Sequence, residues 1–462
     1  MIKRKKANIR VEIHIAIFMF LIGIAMMNLV PTWQTPDERT HLGFIGTEIG
    51  KDSEFAEKLY EDIELKEEPI VRNYDGKVDI KKLKEAMTEV PQYQRSEMLP
   101  EGIHVSVIRH LPATLGILLG IVLRIPTYWV LILGEIFSLI YYVLVCYNAL
   151  RIMPIKKEVF AMLMLMPMAL HQAASINYDA VVLPLCFLMV AYLFKIKEQD
   201  KIVLVDFMRI FAMWLIISYI KLPYCLLIFM LLVLPIDKIH VTLGKLEING
   251  DFIRKVRIPV CIIGTVLIGI AVYCLRNVFY VEMIWSLIVE WKRSLYLFFQ
   301  TGVMQTKSMI ISSVGNFGWL DTPISFVIAL IVYGLIFTMT LVNDSDVKNA
   351  RMRGWDKFVT WGTFSVLCVF TTAAMINHMV KMKLFGTEWT TQTYDIRSSL
   401  YLIPYIGGIQ GRYYLPFVSL LFLPVRQIKK IDRKVAWGIV AVFEIALYIY
   451  VIWKLLDRYW MI

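Results

Sequence analysis

The fold class this sequence predicts is an all-α polytopic membrane protein, and three observations predict it. Of the 462 residues, 58% are hydrophobic, and the mean hydropathy of +0.60 is too apolar for a soluble chain of this size. Runs of about 20 apolar residues recur along the whole chain, and a bilayer core of about 30 Å needs helices of that length. Lys and Arg gather in alternate connections between the runs, the bias that orients membrane helices.

The elements follow in order. The basic start Met1-Ile-Lys-Arg-Lys-Lys6 leads into a run too long for a signal h-region and without a small-residue cleavage site, so it reads as a retained first helix. About eleven membrane helices are expected, near 12–31, 127–149, 157–174, 180–195, 202–220, 222–236, 258–277, 323–341, 358–380, 411–425 and 436–456. With a cytoplasmic N-terminus, the inside segments are 1–11, 150–156, 196–201, 237–257, 342–357 and 426–435, all rich in Lys and Arg. The outside turns "SINYD" and "KLPY" carry none and one. The net charge of +11 is therefore accounted for by orientation rather than by nucleic acid. The six cysteines fall inside apolar runs without metal-type spacing and read as packing residues.

The apolar stretch 103–126 would reverse every later loop if it were a full span. It is expected instead to be an in-plane or juxtamembrane helix on the outer face. The organisation is then one membrane domain, 1–462. Residues 32–126 form the first extracytoplasmic loop with interfacial helices, and 278–322 and 381–410 are further extracytoplasmic loops.

The polar residues that orientation does not require collect on the outer face. Asp37 and Glu38 follow the first helix in "WQTPDERTH", with His41 one turn on. Asn177 and Asp179 lie in "SINYD", Lys221 in "KLPY", Trp319 and Asp321 in "GNFGWLDTP", and Gln410, Arg412 and Tyr413 in "IQGRYYLP". His110 opens the juxtamembrane helix. Each has a structural explanation: Asp37 and Asp179 as helix N-caps, Lys221 and Arg412 as side chains reaching headgroups, His41 as a partner of Asp37, and His171 as a packing histidine. Taken together they suit a reaction. Carboxylates at the interface supply a general base for an incoming hydroxyl, and cations at nearby helix ends neutralise a phosphate whose tail lies in the bilayer.

At this point the pattern resembles the GT-C fold of integral-membrane glycosyltransferases. It resembles more closely a broad bacterial family of multi-pass membrane proteins, a domain of unknown function grouped with them. The matching stretches are "PDERTHLGF", "RHLPATLGILLG", "LMPMALHQAASINYDAVVLPL", "KLPY", "GNFGWLDT" and "QGRYYLP", in order from residue 36 to 416. The resemblance implies an inverting transferase that moves a sugar from a polyprenyl-phosphate donor to a cell-envelope acceptor, a polysaccharide, teichoic acid or glycolipid. It implies the bacterial plasma membrane, with the active site on the extracytoplasmic face. Asp37 would be the catalytic base, with Glu38 and His41 beside it, and Arg412 and Lys221 would hold the donor phosphate. Asn177, Asp179, His110, Trp319, Asp321, Gln410 and Tyr413 would line the donor and acceptor pocket. The first loop has adjacent "DE" and no clear D-x-D, so neither a metal nor another cofactor is expected. The competing functions are a lipid-linked sugar transporter or flippase, for which the mid-helix Glu135 is the one sequence argument, and a polysaccharide polymerase or ligase.

Overall fold

The computed structural model describes residues 2–461 apart from 53, 64–69, 72–75, 92, 244–245, 275–278, 343–351, 387–394 and 429–430. Most of the basic segment 342–357 and part of the loop 381–410 lie outside the described residues. The chain is mainly helical. Among the described residues, five helices are long and apolar enough to cross a membrane: Val11–Leu29, Thr127–Ile152, Asp179–Glu198, Gly354–Phe385 and Lys434–Tyr459. This is a polytopic membrane protein, and three of the expected spans are not continuous α-helices.

The reason is proline and local hydrogen bonding, which a count of apolar residues does not register. The run 157–174 is two pieces, Lys157–Met164 and Pro167–Ala173, because Pro167 has no N–H to continue the first piece. The run 411–425 is a 3₁₀ segment, Gly411–Phe417, with Pro416 inside it, followed by one turn, Ser419–Phe422. The run 222–236 is wound as 3₁₀ over Leu222–Val233. Runs of 3₁₀ beyond three or four residues are uncommon and often mark functional sites.

Two ends of the bundle are distinct. At one end Lys157 pairs with Glu12, and Lys197 pairs with Asp356 at 2.5 Å. There, too, the Lys156 ammonium donates to the carbonyls of Phe422, Leu423 and Val425 at 2.7, 3.0 and 2.8 Å, closing a helix end. At the other end lie Asp37, Asp179, Lys221 and Arg412. The Asp179–Glu198 helix joins the two ends and is about 30 Å long at 1.5 Å per residue, close to a bilayer core. The last helix, Arg433–Tyr459, finishes at the second end, where the Trp460 indole donates to the Leu29 carbonyl at 2.9 Å.

Residues 32–126 do more than lie on the bundle. Leu42, Ile45, Phe55, Leu59, Ala86, Met98, Ile117 and Ile121 form a buried core of their own, shared with Val130 and Leu131 at the start of the Thr127–Ile152 helix. This is a cap with a hydrophobic core, hidden in the sequence by its charged middle. The stretch 103–126 becomes a 3₁₀ turn, Val105–Arg109, and a helix, Leu111–Leu123. Thirteen residues span about 20 Å, too short to cross alone. One face of that helix packs on Thr127–Ile152, and Leu111, Leu115, Leu119 and Leu123 are exposed on another.

The packed face depends on glycine. A Cβ on Gly116 would overlap the Leu133 carbonyl oxygen, and one on Gly120 would sit 2.9 Å from the Val130 Cα. Gly116→Ala is expected to push the helices apart and cost about 1–3 kcal/mol, read as a lower thermal-unfolding midpoint in detergent. Gly43 faces open space, so Gly43→Ala should leave the midpoint unchanged or raise it. Equal midpoints for the two variants would refute this account of the cap.

Within 278–322 the described residues form two helices, Phe279–Val289 and Trp291–Val314. Residues 381–410 begin inside the Gly354–Phe385 helix, and their far part packs Ile396, Leu400, Ile403 and Ile406 onto Leu297, Ile376 and Val380.

Candidate functional site

The first helix ends at Leu29, and the chain turns through two left-handed residues, Trp33 at φ 70° and Asp37 at φ 67°. Asp37 directly precedes the Glu38–Glu48 helix, yet its side chain makes no capping hydrogen bond. An N-cap residue ordinarily has extended backbone and a bonded side chain, so capping does not explain this aspartate. Its carboxylate instead meets Arg412, 375 residues away, with Oδ2 at 3.2 Å from the guanidinium.

Arg412 is positioned by Gly411. A Cβ on Gly411 would overlap the Met309 carbonyl oxygen, and the Gly411 N–H donates to Ser312 Oγ at 2.7 Å. The glycine lets the 3₁₀ turn press against the Trp291–Val314 helix and drives the next side chain under the cap. There the guanidinium also donates to Gln172 Oε1 at 2.6 Å. That oxygen accepts from Asn177 Nδ2 as well, at 2.7 Å, and Asn177 Oδ1 accepts the Asp179 N–H at 2.8 Å. Asp179 accepts from Lys221 Nζ at 2.5 Å. The Lys221 ammonium lies over three rings, those of Tyr178, Tyr224 and Tyr413, at 4.9, 5.7 and 5.1 Å.

One polar chain thus runs Asp37–Arg412–Gln172–Asn177–Asp179–Lys221. Its two carboxylates and two cations compensate each other. It is buried except at one end: the Asp37 side chain is 57% exposed and that of Arg412 only 4%. The chain also keeps unused capacity. Arg412 Nε, Gln172 Nε2 and His171 Nε2 are buried with no hydrogen-bond partner, as is Gln410 Oε1 at the start of the 3₁₀ turn. An orphaned buried donor costs about 1–3 kcal/mol and calls for an explanation.

The predicted membrane protein (DUF2142) family matches residues 19–421. The chain belongs to that family. The match takes in the whole of the polar chain from Asp37 to Arg412 and most of the bundle. No curated protein and no solved structure matches.

Within this DUF2142 chain the other residues singled out from the sequence divide. Glu38 does not share the open mouth with Asp37. Its carboxylate is buried, accepts the Trp33 N–H at 3.0 Å and the Ile176 N–H at 3.3 Å, and lies against the Glu135 carboxyl. Two carboxyls can hydrogen-bond only if one carries a proton. Burial is the main cause that pushes Glu38 up, to about 7. Glu38 therefore ties the first loop to the turn bearing Asn177 and Asp179. Glu135, the mid-helix acid of the sequence reading, lies only eight residues past Thr127 and is part of this tie.

The sign of the Glu38 shift fixes a pH dependence. A carboxyl whose folded value lies above its unfolded one binds protons more tightly in the folded state, so stability falls as pH rises. The unfolding midpoint should drop between about pH 4.5 and 7. That slope should flatten in the Glu38→Gln/Glu135→Gln double variant, whatever its absolute midpoint. A slope unchanged in the double variant would assign the titration elsewhere.

His41 does not pair with Asp37 through its side chain. Its Nδ1 is 2.9 Å from His110 Nε2, and His110 Nδ1 is 3.0 Å from both oxygens of Glu48. The His41 ring packs edge-on against Tyr178, centroids 4.5 Å apart. Burial, then repulsion from His110, Arg412 and Lys221, holds His41 well below the ordinary imidazole range, so it is neutral near pH 7. Glu48 accepts the proton on His110 Nδ1.

Trp319 and Asp321 lie outside the polar chain. The Trp319 indole donates to the Trp33 carbonyl at 2.9 Å, and Asp321 takes a two-pronged bond from Arg458 at 2.7 and 2.9 Å. They pin the 316–323 hairpin to the last helix and the first loop. Sequence reasoning missed Glu48, Gln172 and Tyr178. The only signal for Gln172 was a glutamine beside a histidine in an apolar run. Among the described residues no cluster of three or more His, Cys, Asp or Glu could hold a metal ion.

Proposed function

We propose that this protein is a glycosyltransferase of the GT-C type, moving a sugar from a polyprenyl-phosphate donor to a glycan acceptor outside the cytoplasm. The observation that carries this reading is the Asp37–Arg412 pair at the mouth of a buried polar chain, with orphaned donors on Arg412 and Gln172. The pair supplies a base open to solvent and, directly behind it, an arginine with a free N–H for an anion. The exposed leucine stripe of the Leu111–Leu123 helix gives a lipid tail a path to the same mouth. By the charge bias of the loops, this end faces away from the cytoplasm of a bacterial plasma membrane.

The reaction follows from the pair. The acceptor O–H gives its proton to Asp37, and its oxygen bonds to the anomeric carbon on the face opposite the phosphate. The carbon–oxygen bond to phosphate breaks, and its electrons stay on the phosphate. As Asp37 becomes neutral, Arg412 loses its counter-ion just as charge builds on the leaving group, so the guanidinium turns to the phosphate through Nε. Glu48, His110 and His41 act as positioning residues that hold the first turn of the Glu38–Glu48 helix. Lys221, already paired with Asp179, sets the potential rather than contacting phosphate first. No metal enters this scheme.

The test is transfer by purified protein in lipid, with a panel of polyprenyl-phosphate sugars and EDTA in parallel. Turnover that resists EDTA supports a metal-independent transferase and names the sugar. A second reading, a proton-coupled transporter of lipid-linked sugar, is favoured by the buried Glu38–Glu135 pair, which has the chemistry of a proton site. Labelled lipid crossing vesicles without donor turnover would decide for it.

A further inference from the structure

We propose that the cap carries a second binding site, for a glycan bearing phosphate or carboxylate groups. Its role as the acceptor's site rests on the transferase reading. A cavity of about 570 Å³ lies between the described residues of 90–99 and the far end of the Leu111–Leu123 helix, lined by Tyr93, Gln94, Arg95, Ser96, Leu99 and Arg124 among others. Cavities of about 300–1,000 Å³ are the usual size for small-ligand sites.

Arg95, half-buried, and Arg124, exposed, both line this space. Among the described residues neither has a carboxylate partner, and Glu97, two residues from Arg95, is paired with Lys58 at 3.3 Å. Arg95 Nε is buried and makes no hydrogen bond. Arg124 occupies the left-handed position closing its helix, at φ 52°, where glycine or asparagine is usual. The helix dipole favours a cation there. It does not account for Arg95 or for two arginines lining one cavity. An anion between them removes the repulsion, and the guanidinium forks match phosphate and carboxylate oxygens.

The remaining lining selects among anions. Gln94 and Ser96 offer neutral hydrogen bonds, and Tyr93 and Leu99 offer apolar surface. That mixture suits a sugar ring better than an acyl chain. The Leu111–Leu123 helix starts beside His110, next to the Asp37 mouth, and ends at Arg124, about 20 Å away. A ligand touching both sites is therefore extended. The acceptor is an anionic oligomer or polymer, with its reacting end at Asp37 and an earlier unit held in the cap.

The test uses the full-length protein in phosphatidylcholine nanodiscs without donor, titrated with a phosphorylated dextran oligosaccharide and its unphosphorylated counterpart. The phosphorylated probe should bind about tenfold tighter or more and weaken with salt. Arg95→Gln/Arg124→Gln should abolish that difference, while Arg95→Lys/Arg124→Lys keeps part of it. Equal affinity for the two probes, or unchanged affinity in the double glutamine variant, would overturn the proposal. Displacement of the probe by an equal concentration of dihexanoylphosphatidylglycerol would make this a lipid-headgroup site and remove the glycan assignment. Because no donor is present, a failed transfer assay leaves this result standing, and a failed binding assay leaves the Asp37 chemistry standing.

Discussion

Asp37→Asn is expected to lower sugar transfer by about 10²–10⁴-fold, the range a general base supplies, with an unfolding midpoint close to wild type. Asparagine has the same shape and tolerates the left-handed backbone that φ 67° requires. Alanine at that position adds strain of about 1–2 kcal/mol and would confuse a backbone effect with a chemical one. The side chain is 57% exposed and caps nothing, and an asparagine oxygen there still accepts from the Arg412 guanidinium. The ion pair with Arg412 is half in water, where such pairs contribute little to stability. Near-full activity in Asp37→Asn would remove Asp37 as the base.

The class of fold was legible because it depends on summed apolarity and charge bias, which are properties of composition along the chain. What failed was continuity. Pro167 and Pro416 divide expected spans, and the 222–236 run winds as 3₁₀, because hydrogen-bond pattern and proline geometry are invisible to an average of hydropathy. The cap core was missed for a related reason. Phe55 and Leu59 sit at helical spacing inside a stretch whose other residues are charged.

The candidate site was legible as a set of residues at one end of the bundle and illegible as a set of pairs. Asp37 with Arg412, Asp179 with Lys221, and Asp321 with Arg458 are tertiary partners, and nothing in their spacing announces them. Adjacent residues such as Asp37 and Glu38 looked like one acidic unit. On a helical turn they point in different directions, one to solvent and one to Glu135. The histidines were separable only by finding Glu48, which the sequence shows as one more acid in a charged loop.

Arg412→Lys carries the second large effect, a loss of about 10²–10³ in kcat, the amount typical of one preorganised donor to a developing anion. Lysine keeps the charge but has no planar fork. One ammonium carries its three N–H donors on a single atom and cannot reproduce the separate reach of the guanidinium to Asp37, Gln172 and a phosphate. If Arg412 acts on charge that appears only in the transition state, kcat should fall with little change in KM for the donor. A purely structural arginine would give the opposite pattern, a lower unfolding midpoint with residual kcat near wild type in the folded fraction. The double variant Asp37→Asn/Arg412→Lys separates two further cases. If Asp37 protonation is what releases the guanidinium, the residues work as a unit, and the double variant should be little slower than the worse single variant. Multiplying losses would mean that base and phosphate donor act independently, and that their contact at the mouth is an ion pair of the resting site alone.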